Sequence, residues 1–73
     1  MFKITLTAAR INAGLSIEKV AESMGKSKST IINWEKGRTS MRIAEYEKLC
    51  DLYAISPGNI ILPNTLLKVE SKN

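Results

Sequence analysis

A chain of 73 residues holds one small domain, because at this size only about 60% of the unfolded surface becomes buried and a second core cannot form. With 44% hydrophobic residues, two prolines and four glycines it is neither collagenous nor of low complexity, and it is too short for a large enzyme. Eleven Lys and Arg against seven Asp and Glu leave a net charge of +4, all of it in residues 26–42, where Lys26, Lys28, Lys36, Arg38 and Arg42 stand against Glu35 alone.

Apolar residues fall at helical spacing between Gly, Ser and Pro breaks, and no stretch alternates as a strand does, so the chain is expected to be all-α. A first helix is predicted over residues 5–13, with Leu6, Ala9 and Ala13 on one face and Gly14 as its stop. Leu15 then turns inward and Ser16 caps a second helix of about two turns, whose inward stripe is Val20, Ala21 and Met24 and which ends at Gly25. Ser27 caps a third helix with Ile31 and Trp34 inward and Gly37 as its stop.

A basic loop over residues 38–41 leads into a fourth helix over 42–53, with Ile43, Tyr46, Leu49, Cys50 and Tyr53 facing the core. Ser56 followed by Pro57 has the form of a cap and first helical residue, which predicts a short fifth helix over residues 58–62 before Pro63 interrupts it. The domain is expected to span residues 1–69, with residues 70–73 as a frayed tail.

Two short helices joined by a glycine-containing link, the second carrying small polar and basic residues on its outer side, form the pattern of a helix-turn-helix. Close crossing needs a small residue where the helices touch, which Ala21 supplies, and Gly25 lets the chain reverse. The exposed first turn of the third helix then holds Ser27, Lys28 and Ser29.

The residues Gly14-Leu15-Ser16, Val20-Ala21, Met24-Gly25, Ser27 to Ile31 and Trp34-Glu35-Lys36-Gly37 together resemble the Xre/Cro family of phage-repressor-like helix-turn-helix domains. Leu6, Arg10, Ile43, Tyr46, Leu49, Cys50 and Ile55-Ser56 fall in the same register, so the resemblance covers about residues 6–62. It implies a compact five-helix, lambda-repressor-like domain that binds double-stranded DNA, usually as a homodimer on a two-fold operator. It also suggests an ion pair between Arg10 and Glu35. Three positions depart from the family's pattern. Ile17 stands where a polar residue often touches a phosphate, Met41 replaces a proline before the fourth helix, and Ile32 is apolar on an outer face.

On this frame Lys28, Ser29, Ile32 and Asn33 are the candidate base-contacting residues, with Ile32 either meeting a thymine methyl or packing on a neighbouring side chain. Lys26, Ser27, Lys36, Arg38, Thr39 and Arg42 are the candidate phosphate contacts, since loop cations follow the duplex backbone. Ile60, Ile61, Leu62, Leu66 and Leu67 exceed what one short helix buries and are assigned to a dimer interface; Ile60 and Ile61 could instead close the monomer core.

Other chemistry finds little support. With no histidine and one aspartate there is no nucleophile–base pair, and the lone Cys50 allows neither an internal disulfide nor a zinc-ligand set. No enzyme activity, metal or cofactor is expected. The longest apolar run, residues 52–55, is far short of a membrane span, so a cytoplasmic protein is expected. Two function classes remain. One is a sequence-specific transcriptional regulator, a repressor of prophage or mobile-element type. The other is an antitoxin-like or adaptor module that uses the same fold to bind a protein, and the basic window favours the first.

Overall fold

The computed structural model describes residues 3–62. Strand β1 (Ile4–Thr5) runs into helix α1 (Leu6–Asn12), followed by α2 (Ile17–Met24), α3 (Lys28–Lys36) and α4 (Ile43–Tyr53). A single 3₁₀ turn, Pro57–Asn59, then leads to strand β2 (Ile60–Ile61).

Helix starts are fixed by side-chain oxygens. Thr5, Ser16 and Ser27 accept from the backbone N–H groups of Ala8, Lys19 and Thr30 at 3.1, 3.1 and 3.2 Å, which satisfies one otherwise unpaired donor in each first turn. At α4 the acceptor comes from inside the helix, where Glu45 Oε1 takes the Arg42 N–H at 3.0 Å. The four helices end alike. Leu15, Lys26, Arg38 and Ile55 donate back to the carbonyls of Arg10, Ala21, Asn33 and Cys50 at 2.9–3.2 Å. This closure needs a left-handed residue just before each donor. Glycine fills that place three times, and Ala54, at φ 56°, fills it after α4.

The core collects Leu6 and Ala9 from α1, Val20, Ala21 and Met24 from α2, Ile31 and Trp34 from α3, and Tyr46, Leu49, Cys50 and Tyr53 from α4. Met41 and Ile60 complete it. Helices α2 and α3 pack on each other, so the face of α3 opposite Ile31 and Trp34 stays open. Burial pushes the Cys50 thiol up, away from the reactive thiolate.

The all-α expectation holds as a fold class, with two strands of two residues each added, but the fifth helix is absent among the described residues. Its place is taken by the 3₁₀ turn and β2. Tyr46 Oη donates to the Pro57 carbonyl at 2.6 Å and Asn59 N–H to Ser56 at 2.9 Å, closing the turn after one bond. The β-branched pair Ile60-Ile61 then runs extended, because β2 pairs in parallel with β1, Ile4 opposite Ile60 and Thr5 opposite Ile61.

Two core assignments also change. Ala13 is exposed, because α1 stops at Asn12. Ile43 is the first residue of α4 and is 38% exposed, while Met41 turns inward to 5%. An apolar residue just ahead of a helix cap commonly folds back onto the first turn, which is where Met41 sits. Leu66, Leu67, the expected boundary at residue 69 and the tail over 70–73 lie outside the described residues.

Candidate nucleic-acid interface

The open face of α3 presents Lys28 and Ser29 in its first turn, Ile32 and Asn33 one turn on, and Lys36 at its end. Lys28, Ser29 and Lys36 are exposed; Ile32 and Asn33 are half-buried. Ser27 is committed to the cap and also shares a hydrogen bond with Thr30 Oγ1 at 3.0 Å. Arg38 and Thr39 lie exposed in the loop after α3, and Arg42 is exposed at the cap of α4. Ile17, at the first position of α2, packs partly against the core, which is why an apolar residue suits it.

Lys26 and Lys28 already hold carboxylates. Lys26 Nζ lies 2.9 Å from Glu45 Oε2, and Lys28 Nζ lies 3.3 Å from Glu18 Oε2. Glu18 is held below the ordinary carboxylate range first by its own backbone N–H at the start of α2 and then by Lys28. At Glu45 burial acts to raise the pKa, but the Arg42 N–H and Lys26 together outweigh it and the net shift is downward. Among the described residues Lys36 and Arg38 make no ion pair.

The end of α3 is fastened to α1 by a polar cluster. Arg10 Nε donates to Glu35 Oε2 at 2.7 Å and the Thr7 hydroxyl to Oε1 at 2.9 Å, so both carboxylate oxygens are satisfied. A second Arg10 nitrogen donates to the Leu15 carbonyl at 3.0 Å, tying the loop before α2 to the same point. Tyr53 is buried nearby; burial first, then the Glu35 charge, pushes its hydroxyl up to about 12.

Of the residues assigned to a partner surface, Ile60 is 5% exposed and buried within the chain itself, which removes it from the set open to a partner. Ile61 is 49% exposed and Leu62 half-buried against the core.

Thr7, Glu18 and Glu45 were not anticipated as partners. Thr7 stands three residues before Arg10, on the same helix face, so its place was legible in the spacing. Glu45 stands at the third helical position, where an acid commonly reaches back to the cap. Glu18 lies ten residues from Lys28, and only the folded turn between α2 and α3 brings them together.

An open outer face on α3, packed across α2 and braced from α1, is the arrangement of a helix-turn-helix domain, and the chain belongs to that family: residues 6–60 match the Xre-like Helix-turn-helix family HTH_3. Among individual proteins it is similar to one from Vibrio cholerae described as the cryptic phage CTXphi transcriptional repressor RstR. The two are 30% identical over 61 residues, which cover 84% of this chain and 55% of the relative. The chain thus spans about half the length of that relative. No solved structure matches it. Among the described residues no helix is long and apolar enough to cross a membrane.

Proposed function

We propose that this chain binds double-stranded DNA in a sequence-specific way as a transcriptional regulator, a repressor of prophage type, acting as a homodimer on a two-fold operator. The observation that carries the reading is the open face of α3, where Lys28 and Ser29 stand exposed in the first turn while Ile31 and Trp34 hold the opposite side in the core. A first turn so presented fits the major groove, where Lys28 donates to guanine O6 or N7, Ser29 permits close approach and Asn33 pairs with adenine. Ile32 meets a thymine methyl. Lys26, Ser27, Lys36, Arg38, Thr39 and Arg42 flank the groove along the phosphates. The similarity to a phage transcriptional repressor supports the repressor reading. In a dimer joined through Ile61, Leu62 and the leucines beyond, half-sites are centred about 34 Å apart.

Selection of bound sequences from a random duplex pool tests this reading. Lys28→Ala and Asn33→Ala are expected to change which bases are preferred, at about 1–3 kcal/mol for each lost bidentate contact, whereas Arg38→Ala weakens all sequences alike and lowers the salt slope by about one. Selected sites lacking dyad symmetry overturn the dimer. A protein-interaction module retains no duplex in a salt-sensitive way, and that result overturns the reading as a whole.

A further inference from the structure

Glu18 stands in the first turn of α2 and Lys28 in the first turn of α3, and the link between the helices sets their side chains 3.3 Å apart. Both are well exposed, and neither belongs to the core. The pair therefore lies on the surface the helix-turn-helix offers outward. Exposed pairs of this kind contribute little to folding, so stability gives no reason for it. The backbone at the start of α2 and then Lys28 lower the Glu18 pKa, so the carboxylate is charged beside the lysine. The lysine has a long flexible stem that the pair directs toward α2.

We propose that Glu18 is a specificity-determining residue that acts through Lys28, confining its ammonium to base edges and withholding it from phosphates. The proposal rests on α3 being the DNA reader. Lys28 has two kinds of target on a duplex. A phosphate oxygen bound to it adds a second anion beside Glu18, and the repulsion between the two weakens a contact available on every sequence. Guanine O6 and N7 are neutral acceptors, and an ammonium has three N–H donors. One donor therefore stays with Glu18 while the others reach the base. Glu18 thus penalises sequence-independent binding and spares the sequence-dependent contact, which is how a repulsive element creates a difference between two partners.

The experiment compares the wild type, Glu18→Gln, Lys28→Ala and the double variant on a pool-selected duplex and on random duplex across a salt series. Their unfolding curves are compared in parallel to establish that all four fold alike. Glu18→Gln is expected to tighten random duplex several-fold, to steepen its salt slope by about 0.9 as Lys28 gains a phosphate, and to relax the base preference at the position Lys28 reads. In the Lys28→Ala background the same substitution is expected to change neither slope nor preference. The proposal is overturned if the wild type binds its selected duplex specifically while Glu18→Gln leaves random-duplex affinity and preference unaltered. It is also overturned if Glu18→Gln has the same effect without Lys28, which makes Glu18 a reader or a repulsive charge on its own account. A wild type that retains no duplex overturns the DNA-binding reading, and this inference with it.

Discussion

Replacing Arg10 by methionine keeps an apolar stem of similar length but strips the Glu35 carboxylate of one of its two partners. The Thr7 hydroxyl remains at 2.9 Å, the guanidinium at 2.7 Å is lost, and the Leu15 carbonyl loses its donor at 3.0 Å. Stranding one member of a fully buried pair costs about 3–5 kcal/mol. Here the side chains retain 13% and 9% of their exposure, so water reaches the stranded carboxylate in part and the cost falls to about 2–3 kcal/mol. Against the ~0.05–0.15 kcal/mol per residue that small domains have in hand, that is a large share of the total. Urea unfolding followed by the fluorescence of Trp34, which is buried beside Glu35 in the sequence, measures it. The decisive quantity is the coupling. In a cycle of Arg10→Met, Glu35→Gln and the double variant, the second substitution is expected to cost less once the first is made, with a coupling above ~0.5 kcal/mol. Additive losses would show that α1 and α3 are held by packing alone and that the ion pair is incidental.

Ala54→Gly removes a side chain from a left-handed position and is expected to stabilise the chain by about 0.5–1 kcal/mol after the added freedom of the unfolded state is offset. A melting temperature that stays or falls in thermal unfolding contradicts this. Ser27→Ala deletes the cap of α3 and is expected to cost about 1 kcal/mol in denaturant unfolding, with no change in the slope. The pKa of Glu45 is lowered from 4.5 in the folded state, so the stability it contributes is present above pH 4.5 and is lost as pH falls through the lower folded value. Glu45→Gln is accordingly expected to flatten the acid limb of a stability-against-pH curve while leaving its alkaline limb in place. An unchanged acid limb refutes the assigned role of Lys26 and the Arg42 N–H.

The helices were legible because their signals are local and redundant. Ser16 and Gly25 bracket one period of apolar residues and Ser27 and Gly37 bracket the next, and each bracket has its own physical reason. The strands had no such signal. Two residues cannot display an alternation, and the partner of Ile60 is Ile4, at the far end of the described chain. The same distinction divides the interface. Which residues share the outer face of α3 follows from 3.6 residues per turn. That Lys26 and Lys28 are already held by Glu45 and Glu18 follows from how α2 and α4 are set against that face, which no local pattern encodes. Ile43 was misjudged for a narrower reason: it shares the helical face of Tyr46 and Cys50, three and seven positions on, but it is the first residue of α4, and Met41 just ahead of the cap takes the inward place instead.

The parallel pairing of β1 with β2 also bears on how the molecule opens. Ile4 and Ile60 are more than fifty positions apart, so their contact closes nearly the whole described chain into a loop. The entropy of closing such a loop is incurred before the contact returns anything, which places it late in folding, after the locally bonded helices. By the same reasoning it is an early point of release. Amide protons of Ile60 and Ile61 are then expected to exchange through partial openings that leave Ile31 and Trp34 protected. The strands are then expected to act as a clasp that works open without unfolding α2 and α3.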